Sequence, residues 1–77
     1  MVAKVDQAAA LIAKICGKQP EALQRADDLV VDLAIDSAKA LELLIELEEV
    51  LGIEISDEDA ARFESVGDIL GYVKAQA

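Results

Sequence analysis

The chain has no histidine and no tryptophan, and only one cysteine, one proline, one tyrosine and one phenylalanine among 77 residues. Without histidine there is no imidazole acid–base catalysis, no Ser/His or Cys/His nucleophile pair, and no histidine-containing zinc site. A lone Cys16 forms neither an internal disulfide nor a four-cysteine metal cluster. Two aromatics, Phe63 and Tyr72, leave almost nothing on which nucleic-acid bases can stack. Positive charge is scarce as well: seven Lys and Arg stand against sixteen Asp and Glu, a formal net charge of −9. Such a chain is repelled by phosphate backbones and anionic membrane surfaces and attracted to basic protein patches. No apolar run approaches the ~18 residues of a membrane-spanning helix, and no charged segment followed by an apolar stretch opens the chain. These absences predict a cytoplasmic monomer with no catalytic residue, no metal site, no nucleic-acid partner and no membrane span.

What is present argues for folding. Hydrophobic residues make up 55% of the chain, nearly all of them Ala, Leu, Ile and Val, which is too apolar for a disordered acidic tail. The length allows a single domain over 1–77, with a core of small aliphatic side chains packed without large voids. Charge is unevenly spread. Residues 1–20 hold three bases and one acid, whereas residues 21–77 hold four bases and fifteen acids. The later part is the side expected to meet a partner.

Periodicity predicts an all-α protein, a small four-helix bundle with three main helices, one short one, and a long loop between the first and second. The first helix spans about 2–16, with Val5, Ala8, Ala9, Ile12, Ile15 and Cys16 on one face and Gly17 as its stop. On that face Cys16 reads as a small core residue. The connection 18–35 has no long helical period, but Leu23, Leu29, Val30, Val31, Leu33 and Ile35 read as anchors that pack it down, with a short helical turn near 20–25.

The second helix, 37–51, is the clearest. Asp36 or Ser37 caps it, and Gly52 ends it. Ala40, Leu43, Leu44, Leu47, Val50 and Leu51 share the face assigned to the core. Ala38, Leu41 and Ile45 form a second, narrower apolar strip, bordered by Glu48 on one side and by Glu42 and Glu49 on the other. A purely structural helix needs one apolar stripe. The second strip is either covered by the long connection or left open for a partner. A short helix follows Ser56, and Val66, Ile69, Leu70 and Val73 mark the core face of a last helix over 66–75, opened by a Ser65/Asp68 capping pair. The Asp57-x-Asp59 spacing does not make a calcium loop, because Arg62 stands where glycine is needed and Asp68 where glutamate is needed. Tyr72 reads as a packing residue with a wet hydroxyl.

One hydroxyl draws attention. Ser37 follows Asp36 where the long loop meets the acidic helix. It is either a helix cap or an acceptor modified by another enzyme, since the chain holds no base to activate it as a nucleophile. A helix N-terminus also stabilises an attached phosphate.

The stretch Asp32-Leu33-Ala34-Ile35-Asp36-Ser37-Ala38-Lys39-Ala40-Leu41-Glu42-Leu43 resembles the attachment site of acyl carrier proteins, which usually reads Asp-Leu-Gly-x-Asp-Ser-Leu. Downstream, Glu46-Leu47-Glu48-Glu49-Val50-Leu51-Gly52 is similar to the end of the family's second helix, and Val66-Gly67-Asp68-Ile69-Leu70-Gly71-Tyr72-Val73 to its last. The resemblance implies that a phosphopantetheinyl transferase moves 4′-phosphopantetheine from coenzyme A to Ser37, using Mg²⁺ and recognising Asp36. The arm's thiol would then carry acyl groups as thioesters between enzymes of fatty-acid, specialised-lipid or polyketide synthesis. It further implies that Ala38, Leu41, Glu42, Ile45, Glu48 and Glu49 meet basic patches on acyl-transferring and acyl-modifying enzymes. The space among Ala9, Ile12, Leu44 and Leu47 is where an acyl chain would be admitted.

Three positions depart from the family pattern. Ala38 stands where Leu or Met is usual, Lys39 adds a positive charge, and Ala34 replaces the common glycine, which strains the backbone if φ is positive there. These changes point to a carrier with a dedicated partner. Two other readings stay open. One is an unmodified acidic helical adaptor for a basic protein. The other is a D-alanyl or peptidyl-type carrier, although peptidyl carriers usually show Gly-Gly-x-Ser where this chain has Ala34-Ile35-Asp36-Ser37.

Overall fold

Residues with strong start or stop chemistry mark most of the helix ends. The structure, a computed structural model, describes residues 3–76. Four α-helices follow in order: α1 (Lys4–Cys16), α2 (Ser37–Leu51), α3 (Asp57–Ala61) and α4 (Val66–Gln76), with a 3₁₀ turn at Pro20–Ala22 in the long α1–α2 connection. Three main helices and one short one, with the long loop in the expected place, bear out the fold read from the sequence. Gly17 and Gly52 close α1 and α2 in the left-handed conformation, at φ 74° and 66°.

α1 packs against both α2 and α4. A helix touching two neighbours buries a wider arc than one facing a single neighbour, and small residues let the backbones come close. Ala8, Ile12 and Ala13 are accordingly buried, and Ala13 joins the expected face. Val5, Ala9, Ile15 and Cys16 are only half-buried and pack on the core's edge. Cys16 is therefore a rim residue, its thiol 3.6 Å from the Ala13 carbonyl.

α2 contributes Leu43, Leu47 and Leu51, buried at i, i+4 and i+8, with Ala40 and Leu44 half-buried beside them. Val50 is not buried with them: it is 56% exposed. Its helical phase is only about 20° from that of buried Leu43, so its exposure is set by its place near the end of the helix and not by its face. α4 supplies Val66, Ile69, Leu70 and Val73, the full set expected. All buried residues among those described are apolar, and neither aromatic is fully buried. Truncating a central member such as Leu47 to Ala would cost about 2–5 kcal/mol.

The Ser65/Asp68 pair forms as expected. The Ser65 hydroxyl accepts from Asp68 N at 3.3 Å, and the Asp68 carboxylate accepts from Ser65 N at 3.1 Å and Glu64 N at 3.0 Å. These bonds, chiefly the one from Glu64, hold the Asp68 carboxyl below its ordinary value. Ser56 caps α3, its hydroxyl accepting from Asp59 N at 3.1 Å. α3 buries no residue of its own. Beside it Phe63 meets Tyr72 edge-on, ring centres 5.5 Å apart, and the Tyr72 hydroxyl donates to the Glu54 carbonyl at 2.8 Å. The phenol is engaged rather than merely wet. Partial burial and then the Asp59, Glu48 and Glu54 carboxylates raise its pKa.

The long connection is structured by backbone bonds. Leu29 N donates to the Glu64 carbonyl at 2.9 Å, Val66 N to Asp27 at 3.0 Å, and Gly67 N to Arg25 at 2.9 Å. A Cβ on Gly67 would sit 3.0 Å from that Arg25 carbonyl, so glycine is what permits the approach. Residues 28–34 then make a single helical turn. Asp28 caps it by accepting from Val30 N and Val31 N at 2.9 and 2.8 Å. It closes with Ile35 N donating to Leu29 and Ala34 N to Val30, the bond pair of a Schellman motif. Leu29, Leu33 and Ile35 are buried as anchors. Val30 and Val31 are not anchors; the turn points them outward, 69% and 80% exposed.

The motif puts Ala34 at the position glycine normally fills, and its φ is +55°. The left-handed conformation costs a Cβ-bearing residue about 1–2 kcal/mol, part of which glycine offsets through its greater unfolded-chain entropy. Ala34→Gly is expected to stabilise the protein by about 0.5–1 kcal/mol, raising the melting temperature by a few degrees. Thermal unfolding of the two proteins checks this, and an unchanged or lower melting temperature would show that Ala34 is not strained.

Candidate functional site

The site begins with the cap of α2. Asp36 is extended (φ −85°, ψ −177°), and its carboxylate accepts from Lys39 N at 2.9 Å. Asp36 is therefore the cap, and Ser37 is the first helical residue, exposed to solvent. The division of labour matters chemically. A serine that caps a helix commits its hydroxyl to a backbone N–H. Here the neighbouring carboxylate takes that task, and no hydrogen bond engages the Ser37 hydroxyl among the described residues. The hydroxyl stands at the positive end of a fifteen-residue helix, where a phosphate attached to it is electrostatically favoured.

The outer face of α2 starts one residue later. Leu41 is 60% and Ile45 47% exposed, and Ala38, Glu42 and Glu49 are exposed with them. The second apolar strip is thus open to solvent, because the long connection turns toward α4 instead of crossing it. The carboxylates around the strip are not equivalent. Glu48 is half-buried, and its carboxylate accepts from Ile55 N at 3.4 Å, bracing the chain after α2. Glu46 pairs with Lys14 of α1 at 3.6 Å. Glu42 and Glu49 are the ones left facing outward beside the strip.

A cavity of about 100 Å³ opens behind the site, lined by Leu29, Val30, Ile35, Ala40, Leu44 and Phe63 among others. Its position corrects the sequence reading. Ala9, Ile12 and Leu47 do not line it; Ile12 and Leu47 lie in the closed core, and Leu44 alone of the expected set reaches it. The space lies where α2 meets the long connection and Phe63, just past α3. Ala40 is one helical turn from Ser37, so one end of the cavity lies close to the hydroxyl. Sequence reasoning alone does not single out Leu29, Ile35 and Phe63 as site residues. Only their apolar character at irregular spacing marks them, and that is also the mark of ordinary core.

The chain matches a family model described as the phosphopantetheine attachment site over residues 6–73. It is 35% identical to the acyl carrier protein of Chlamydia muridarum over 69 residues, 90% of each chain. It is 33% identical to the meromycolate extension acyl carrier protein of Mycobacterium tuberculosis, covering 86% of this chain and 57% of that one. A solved Mycobacterium tuberculosis chain, provisionally assigned as an acyl carrier protein, superposes with a TM-score of 0.88 at 32% identity, over 97% of this chain and 100% of that one. A matched attachment-site model, relatives along almost the whole length and the same helical bundle agree with the exposed serine at the start of α2: the chain belongs to the acyl carrier proteins, the family that carries covalently attached 4′-phosphopantetheine.

Proposed function

We propose that Ser37 is the attachment residue and that this chain is a carrier with a dedicated set of partners, performing no chemistry of its own. The observation that carries the first point is the exposed Ser37 hydroxyl, relieved of capping by Asp36. Attachment joins Ser37 Oγ to the phosphorus bearing the pantetheine; the bond to the adenosine bisphosphate half of coenzyme A breaks, and the hydroxyl proton leaves. The chain has no histidine to take that proton, so a separate transferase must do so. Asp36 is the nearest acidic group for the transferase to recognise, and it keeps the start of α2 rigid while the bond forms. The prosthetic group supplies the thiol that holds the acyl cargo, and Cys16, on the rim of α1, has no part in it.

Partner enzymes would meet the outer face of α2. Glu42 and Glu49, with Glu48 at the edge, would attract basic patches and speed encounter, while the Ala38–Leu41–Ile45 strip adds a small apolar contact. A shuttle needs such binding to be weak. The cavity beside Ala40 and Leu44 is the place where a short acyl chain would shelter.

Specialisation rests on Ala38 and Lys39. Both are exposed, so neither is explained by the core. Ala38 shortens the apolar strip at the end nearest Ser37, and Lys39 interrupts an acidic run of nine carboxylates between Asp36 and Asp59. The similarity to a carrier of meromycolate extension is consistent with a particular lipid as cargo.

Two experiments test these points. Treated with a broad-range transferase, Mg²⁺ and coenzyme A, the protein is expected to gain one phosphopantetheinyl group, located on Ser37 by peptide mass spectrometry. Ser37→Ala should remain unmodified and keep the wild-type melting temperature within a few degrees, since Asp36 provides the cap. Modification at Ser56 or Ser65 would overturn the assignment. Separately, Ala38→Leu should leave stability nearly unchanged and lower the KM for a transferase from general fatty-acid synthesis by up to about tenfold, the worth of roughly 1–2 kcal/mol of apolar contact. If the two proteins load equally well, Ala38 carries no specificity.

A further inference from the structure

Val30 and Val31 are the two most exposed large apolar side chains described, at 69% and 80%. They are not on a loose segment. Asp28 accepts from both of their N–H groups, the Schellman bonds close the turn behind them, and Leu29 and Leu33 anchor it on either side. The turn even holds Ala34 at φ +55°. Two apolar side chains held so far outward on an ordered support bury little surface for the fold, Val31 least of all.

The turn also lies close to the attachment residue. Ile35 N bonds the Leu29 carbonyl at 2.9 Å, and Ile35 precedes Ser37 by only two residues, at most about 7 Å of chain. Val30 lines the cavity together with Ile35 and Ala40, which flank Ser37 on both sides in sequence. Along the chain Ser37 thus has an exposed apolar pair on each side, Val30–Val31 before it and Leu41–Ile45 after it. An enzyme acting on the thiol at the far end of a flexible arm can dock on either one. An enzyme that makes a bond to Ser37 Oγ itself has to close over that atom, and of all partners it comes nearest to the turn that ends two residues before it.

Resting on Ser37 as the attachment residue, we propose that the Val30–Val31 knob is the second docking foothold of the phosphopantetheinyl transferase, seated in an apolar recess with a basic rim. The rim follows from charge on both sides. Residues 27–36 hold four aspartates and no base, and an enzyme that binds coenzyme A must present cations to its phosphates. The valines would supply apolar contact area within that acidic frame, on a support whose order is already fixed before binding.

The test compares wild type with Val30→Ser/Val31→Ser, and with Val31→Ser alone, as acceptors for a broad-range transferase with coenzyme A and Mg²⁺. Loading is followed by intact mass, and melting temperatures are measured in parallel. The double variant should melt within about two degrees of wild type and show a KM raised about tenfold with kcat unchanged, as expected when two partly buried valine side chains are removed from an interface. Val31→Ser, whose side chain does not line the cavity, should show a smaller rise in the same direction and settles the matter if the double variant does not fold. A KM within twofold of wild type in a folded variant overturns the proposal while leaving Ser37 as the acceptor. A wild type that dimerises through these valines and loads no better than the variant overturns it in favour of self-association. A wild type that takes no phosphopantetheine overturns the Ser37 assignment and this proposal together.

Discussion

Three backbone hydrogen bonds between residues 25–29 and 64–67 fix the path of the chain into α2. They join the middle of a twenty-residue connection to the start of α4, with Asp28 and Ser65 forming an isolated antiparallel bridge. Without them only the burial of Leu29, Leu33 and Ile35 would offset the entropy of closing the connection onto the bundle. With them, Leu29 and Leu33 are pressed into the core and the turn 28–34 ends at a defined point. Ile35 is buried next, Asp36 caps α2, and Ser37 comes first in the helix with its hydroxyl outward. Gly67 is required for the approach, and Ala34 bears a strain for it. Backbone strain kept beside the exposed serine proposed as the acceptor fits a pattern in which stability is given up near functional sites.

Core and surface divide the chemistry cleanly. The described buried residues are all apolar, and the acids lie outside, most of them after residue 20. Part of the acidic side is engaged internally: Asp68 on the start of α4, Asp28 on the turn, Asp36 on α2, Glu48 on the chain after α2, and Glu46 on Lys14. What remains outward on α2 is a short apolar strip with Glu42 and Glu49 beside it. Such a surface suits fast, weak encounters with basic partners, in which charge sets the approach and a few side chains set the choice.

The helices, most of their caps and the exposed serine at the start of α2 were legible in the sequence because each has a local signal. Ser65 and Asp68 are three apart, Ser56 precedes three acids, Gly17 and Gly52 follow apolar runs, and Asp36-Ser37 sits before a helical period. The strain at Ala34 was also legible, as a residue placed where the family pattern has glycine. What was not legible depends on which partner covers each position. Val50 has the right hydrophobicity and nearly the right phase for the core, yet near the end of α2 it is left 56% exposed. Val30 and Val31 look like their neighbours Leu29 and Leu33 until the turn geometry sends them outward. The cavity was misplaced for the same reason. Its walls come from the long connection, α2, the region of α3 and α4, and no single period records how they meet.

Native-state hydrogen exchange at Leu29, Ile35, Val66 and Gly67 tests the central claim most directly, because those N–H groups make the bonds on which the placement of Ser37 depends. If the connection is part of the cooperative structure, all four should exchange with protection close to that of the buried α2 and α4 amides, such as Leu47 and Val73. If they exchange within the dead time while Leu47 and Val73 remain protected, the connection is a mobile tether, and the presentation of Ser37 has some other cause.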